Sequence, residues 1–124
     1  MPAIMQPIDA SYYDVYVGDT TDIVYIRPSA LDGAAMDGNW TCSQQVNDES
    51  GNEVIGEASV TEKSSDDTEF KVYLTPSQTG TLSGSGNTYT LYDWVIQVVN
   101  DSASPPYRKE THLSLRVFNQ GIGP

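Results

Sequence analysis

One histidine and one cysteine, His112 and Cys42, are all that this 124-residue chain offers of those two residue types, and their placement limits its chemistry. Nucleophilic catalysis needs a thiol or hydroxyl held against a base. Cys42 shares alternate positions of a strand-like run with Trp40 and Gln44, a setting in which a free thiol behaves as a small core hydrophobe. His112 falls on the outward positions of the last such run, beside Glu110 and Thr111. The two are not expected to meet. A zinc site needs several Cys and His together, and a single residue of each kind does not supply one. Oxygen ligands for calcium are offered by Asp32-Gly33 to Asp37-Gly38 and by Asp48-Glu49-Ser50-Gly51-Asn52-Glu53. Neither follows an EF-hand register, and Asp, Asn and Gly stand in such places for backbone reasons. Asp66-Asp67 could be a glycosidase-type carboxylate pair, but it lies in a polar loop without aromatic neighbours. No GxSxG elbow, P-loop or dinucleotide fingerprint occurs. The expectation is a chain that is not an enzyme and has no metal and no cofactor.

The aromatic residues point elsewhere. Tyr92, Trp94 and Trp40 fall on inward positions and are expected in the core, not on a sugar-stacking platform. Tyr12, Tyr13 and Tyr16 are harder to bury. On an edge strand next to a terminal arm they would form an amphipathic contact patch. The sequons Asn39-Trp40-Thr41 and Asn100-Asp101-Ser102 match glycosylation, but MPAIMQPIDASYY has no basic region followed by an apolar core, so no secretory signal is expected.

The elements that must position these residues are strands. No window keeps apolar residues at i, i+3, i+4 and i+7, whereas short runs rich in Val, Ile, Thr, Tyr and Trp are separated by Gly, Asn, Asp, Ser and Pro. The pattern predicts strands at Tyr12–Val17, Thr20–Arg27, Asn39–Val46, Glu53–Glu62, Thr68–Leu74, Thr88–Asn100 and Lys109–Phe118. Turns are expected at Gly18-Asp19, through Ser29–Gly38, and at Asn47–Asn52. Thr75-Pro76-Ser77-Gln78 has the form of a capping box with Pro at the first helical position. It predicts a single helical turn crossing from one sheet to the other. About seven strands with period-two burial imply an all-β fold, a single antiparallel β-sandwich of Ig-like architecture. Domain organisation reads as an arm (residues 1–8), a sandwich (9–118) and a tail (119–124).

Charge excludes one class of partner. With 17 acidic against six basic side chains, the formal net charge is −11, which argues against binding nucleic acid through phosphates. No apolar run reaches the roughly 18 residues of a membrane span. Residues 1–60 hold ten of the acids and only Arg27 among the bases. That half is expected to be either a solvated surface or a face that meets a basic partner.

A family resemblance adds to this reading. Gly18-Asp19-Thr20, then Val24-Tyr25-Ile26, then Trp40-Thr41 and a polar hairpin open the pattern. Its stronger part is Phe70-Lys71-Val72-Tyr73-Leu74-Thr75-Pro76-Ser77-Gln78-Thr79, a Gly-rich turn, and Tyr89 followed by Tyr92-Asp93-Trp94-Val95-Ile96-Gln97-Val98. Together these resemble the small β-sandwich domains of tailed-bacteriophage virions, in particular the N-terminal domains of baseplate upper proteins and tail-fibre adaptors. The resemblance covers most of residues 15–118. It departs from the family in ending at Pro124, where members continue into a stalk or receptor-binding region, and in lacking the glycine before the closing strand Glu110–Phe118. The resemblance implies a non-catalytic virion protein, made in the host bacterial cytoplasm, that joins a tail, baseplate or fibre adaptor. A capsid decoration protein on the phage head is the alternative, and a carbohydrate-binding β-sandwich module the alternative of another class. The implied partners are other virion proteins (tail, fibre or major capsid), in a homo-oligomer or symmetric multi-copy assembly. Contacts are expected from Met1, Pro2, Ile4 and Pro7 of the arm, from Tyr12, Tyr13 and Tyr16, and from Ile122 of the tail.

Overall fold

A computed structural model describes residues 12–28, 36–84 and 89–119. Among them the elements run β1 (Tyr12–Tyr16), β2 (Val24–Ile26), β3 (Thr41–Asn47), β4 (Glu53–Val60), β5 (Phe70–Val72), α1 (Pro76–Thr79), β6 (Tyr89–Asn100) and β7 (Tyr107–Phe118). One sheet has five strands in the order β1-β7-β6-β3-β4, and a second pairs β2 with β5. Alternation builds the layers. Cys42, Gln44 and Val46 of β3, Trp94, Ile96 and Val98 of β6, and Leu113, Leu115 and Val117 of β7 are buried, with wetter residues between them. The apolar ones share one core cluster with Val24, Phe70, Val72 and Leu74 from the small sheet and its flank. The fold is the all-β sandwich that period-two patterning predicts.

One pairing corrects the antiparallel expectation. β1 lies parallel to β7, with Tyr12 opposite Ser114 and Tyr16 opposite Phe118. Its exit explains why. The Asp19 N–H donates to the Tyr16 carbonyl at 3.0 Å in a turn whose Gly18 has φ 88°, a conformation glycine adopts without strain. The chain then passes to the small sheet. No hairpin ties β1 to its neighbour, so hairpin logic does not set its direction.

Two strands are shorter than the sequence suggests, because side chains replace their outer ladder bonds. The Leu74 N–H donates to the Thr21 hydroxyl oxygen at 2.9 Å, while the Thr21 N–H donates to the Leu74 carbonyl at 3.2 Å. Thr68, at the other end of β5, donates its hydroxyl to Asp66 (2.7 Å) and accepts from Arg27 (3.2 Å).

The capping turn forms as expected. The Thr75 N–H donates to Gln78 Oε1 at 2.8 Å, and the Gln78 N–H reaches Thr75 Oγ1 at 3.4 Å. Pro76 occupies the first turn, and α1 carries the chain from β5 in the small sheet towards β6 in the large one. It is tied down at its end, where the Thr79 hydroxyl donates to the Asp19 carbonyl at 2.6 Å. Beyond it, Gly84 lies against the end of β7. A Cβ there would stand 2.3 Å from the Asn119 nitrogen, which leaves no room for a side chain.

Trp94 is the centre of the core, with no solvent exposure. Its indole N–H donates to Gln44 Oε1 at 2.8 Å, and Gln44 Nε2 donates to the Tyr73 carbonyl at 3.0 Å. The buried Gln44 amide is thereby satisfied and links the large sheet to the chain just after β5. Tyr13 meets the Trp94 ring edge-on, centroids 5.8 Å apart, so β1 is anchored by an aromatic contact as well as by Val15 in the core.

Candidate functional site

The residues with catalytic potential are held apart. Cys42 is buried on the inner face of the large sheet, and burial pushes its thiol up to about 12, so at neutral pH it is not a thiolate. His112 stands on the outer face, exposed, paired across β6 with Val95. Its Nδ1 lies 2.9 Å from Asp93 and its Nε2 2.8 Å from Glu110. Carboxylates accept but do not donate, so satisfying both contacts requires a proton on each ring nitrogen. The hydrogen bond to Asp93 first, and that to Glu110 second, raise the His112 pKa above its usual value. Once protonated, the ring is clamped between two carboxylates, one at each nitrogen. Among the described residues no group of three or more His, Cys, Asp or Glu is placed to hold a metal ion.

The acidic loops are turns. Asp48 accepts the Ser50 and Asn52 N–H groups, each at 2.9 Å, and these bonds, the one from Asn52 foremost, lower its pKa. Asp66 is lowered in the same way, mainly by the Thr68 hydroxyl and then by Ser64. Asp37 accepts from the Asn39 N–H at 2.9 Å; Asp32-Gly33 lies outside the described residues. Asn100, the head of the second sequon, is buried and accepts from the Ser102 and Ala103 N–H groups.

The tyrosine expectation leads to a surface. Tyr12, Asp14 and Tyr16 alternate on the exposed face of β1, at 39% exposure for Tyr12 and 45% for Tyr16. The third predicted contact, Tyr13, points the other way and packs on Trp94. Parallel pairing places β7 beside them, so Arg116 lies opposite Asp14 and Phe118 opposite Tyr16. Arg116 grips Asp14 with two bonds, Nε to Oδ1 at 2.6 Å and Nη2 to Oδ2 at 2.8 Å. The same guanidinium lies 5.0 Å from the Tyr12 ring centre and 5.3 Å from that of Tyr89, within cation–π range. Phe118 stands between Tyr16 and Tyr89, with ring centres 5.7 and 5.5 Å away. The result is an aromatic cluster with a charge pair at its middle, half open to water. Its planes are tilted by 51° and 59°, so these rings do not form a coplanar platform.

The backbone under this cluster is also open. The Val17 N–H donates to the Phe118 carbonyl at 3.0 Å. That bond sets the phase: residues 13, 15 and 17 turn their N–H and C=O towards β7, and Tyr12, Asp14 and Tyr16 turn theirs away, the Tyr16 carbonyl into its turn bond with the Asp19 N–H. β1 ends the sheet order among the described residues, so the outward row faces no described strand.

Of the expected contact residues, the structure therefore brings Tyr12 and Tyr16 onto one surface and assigns Tyr13 to the core boundary. Met1, Pro2, Ile4, Pro7 and Ile122 lie outside the described residues. Sequence reasoning missed Asp14, Arg116, Tyr89 and Phe118 as members of the patch. Local pattern marks Arg116 as outward, but only the long-range β1–β7 register shows that it meets Asp14.

Comparisons with known proteins add little. No family model matches the chain, and no curated protein is significantly similar to it. Among solved structures, CopC from Methylosinus trichosporium OB3b is similar over 90% of each chain, at 13% identity and a TM-score of 0.42. At those values the likeness carries no argument about this chain. Among the described residues no helix is long and apolar enough to cross a membrane.

Proposed function

We propose that the chain is a non-catalytic structural component of a tailed-bacteriophage virion, in the tail, baseplate or fibre adaptor, and that it assembles through the β1 edge. The observation that carries the assembly reading is the coincidence of a regular backbone edge that faces no described strand with an aromatic cluster of exposed Tyr12, Tyr16 and Tyr89 around half-buried Phe118. Edge strands are kept unpaired or reserved for partners, and half-exposed aromatics beside arginine are enriched at protein interfaces. The virion assignment rests on the sequence resemblance. What supports it further is that the motif around Thr75–Gln78 is an architectural device, a capped turn between sheets, as a structural family would keep. Repetition around a virion axis would multiply weak edge contacts into firm attachment. Capsid decoration is the same mechanism at another location. A carbohydrate-binding module would call for coplanar exposed rings, which the tilted cluster does not supply.

The test is to purify virions from cells making a tagged copy and to locate the tag by electron microscopy. The expected result is label at the tail or baseplate, lost when Tyr12 and Tyr16 are both changed to Ser. Label on the head would shift the assignment to decoration, and absence from purified virions would end the virion reading. Removing residues 1–8 is expected to leave a folded domain by circular dichroism while weakening incorporation.

A further inference from the structure

We infer that the occupant of the β1 edge is an extended, basic segment of a partner protein, which adds to the five-stranded sheet as a sixth strand. This deepens the assembly reading above by naming the chemistry of the partner at that same edge. The backbone offers the ladder: Tyr12 and Asp14 turn both peptide groups outward and Tyr16 its N–H, its carbonyl being held by the Asp19 N–H, and the three side chains lie on the outer face. A strand laid there meets those three side chains at every second position.

Charge chooses the occupant. Across the outer face, the row through the middle of β1 reads Arg116, then Asp14, then the open edge. A cation on the incoming strand opposite Asp14 would continue the alternation of sign, whereas an acid there would be destabilising. The positions two residues away on either side meet the rings of Tyr12 and Tyr16, exposed at 39% and 45%, and ring faces attract Lys and Arg as well as apolar stems. Asp19 and Asp22 follow β1 closely and are exposed, so the surroundings are acidic too. A second copy of the chain is the poorer occupant. It would bring a net charge of −11 against −11, and pairing centred on Asp14 would set that carboxylate against its own symmetry mate. Inward-facing positions of the added strand would lie beside Tyr13 and Val15, extending the apolar layer, so the segment recognised alternates basic and apolar residues.

The probe is a short synthetic peptide alternating Arg and Val, titrated into the full chain at low and moderate salt. Two further versions carry N-methyl groups, one along the edge that would face β1 and one along the opposite edge. Three results are expected. The amide resonances of Tyr12, Asp14 and Tyr16 shift and become protected from exchange, with those of β4 unmoved. Methylation of the facing edge weakens binding by about tenfold or more, and methylation of the other edge does not. Affinity falls as salt rises from about 50 to 300 mM. Asp14→Lys is expected to lose binding about tenfold or more. Asp14→Asn, which keeps the side-chain shape, is expected to lose less, which guards against a folding defect in the first variant. Equal loss from methylating either edge, or shifts mapping elsewhere, would overturn the inference. So would two other occupants: a dimer that protects the same amides and strengthens with salt, or protection of those amides without peptide by the chain's own first eleven residues. The peptide titration is independent of virion purification. Binding at β1 by a protein absent from virions would end the virion reading alone. Virions that retain an Asp14→Lys copy would end the inference alone.

Discussion

The large sheet has two edges, and they are built on opposite plans. β4 opposes β3 through a broken register. Gln44 pairs with Ala58 and Val46 with Ile55, then Asn47 with Glu53, so extra residues bulge from β4 twice. Gly56 and two acids, Glu53 and Glu57, lie along it exposed. Bulges, charge and glycine are the means by which sheets discourage further pairing. β1 has none of the first and only one of the second. Its register with β7 runs unbroken over five residues, its single acid is already held by Arg116, and its other outward side chains are tyrosines. Among the described residues one edge is blunted and the other is regular and faces no strand. The difference bears on use, since both edges belong to the same sheet and share its core.

The largest effect that would break this contrast comes from the core. Trp94→Ala should destabilise the fold by about 3–5 kcal/mol, measured by denaturant unfolding. Amide exchange should rise first at Tyr13 and Val15, because β1 loses its ring contact while β4 does not. Unfolding that frees both edges equally would mean that β1 is no less firmly held than β4. Arg116→Ala should cost about 1 kcal/mol, as it removes a surface ion pair and two cation–π contacts together. It should also leave Asp14 as an uncompensated acid on the edge, making β1 resemble β4. A variant as stable as the wild type would show that the cluster is held by its rings alone.

The sequence made the architecture legible because the architecture is periodic. Strand type, the buried faces of β3, β6 and β7, and the capped turn at Thr75 each follow from local spacing or local chemistry. What stayed hidden was long range. Nothing within a dozen residues of Asp14 names Arg116 as its partner, and nothing near Tyr16 names Phe118. The shortening of β2 was hidden for a related reason: Thr21 exchanges a ladder bond for a side-chain bond with Leu74, 53 positions away. Three tyrosines so close together look like one patch in the sequence, whereas strand alternation turns the middle one, Tyr13, towards Trp94.

Two smaller effects sharpen the comparison. Replacing Glu53 and Glu57 by Val should change stability by about 0.5 kcal/mol or less. It should nevertheless produce concentration-dependent association, read by light scattering, if those acids keep β4 solitary. The smallest effect is at His112, between the edges. Its folded pKa is raised, by Asp93 before Glu110. The stabilisation is therefore complete below the unfolded pKa of about 6.5 and is lost as pH rises through the raised folded value. With the side chain 52% exposed, solvent screening reduces the gain to about a few tenths of a kcal/mol. Thermal melts of wild type and His112→Gln should converge above that range and separate below it, with both edges affected alike.

The parallel seat of β1 also has a consequence in time. Asp14 and Arg116 are 102 positions apart, so β1 has no template until β7, made that much later, has emerged. The β6–β7 hairpin can form at once from neighbouring residues, and closing the β1 loop adds an entropic barrier that grows slowly with its length. Docking of β1 should then be the last event of folding and its release the first of unfolding. Double-jump refolding would show this as φ-values near zero for Val15→Ala beside fractional ones for Ile96→Val. A chain ordered this way completes its strongest-paired strands before the edge it offers to others exists, which limits the time during which an unfinished molecule could be captured by the wrong neighbour.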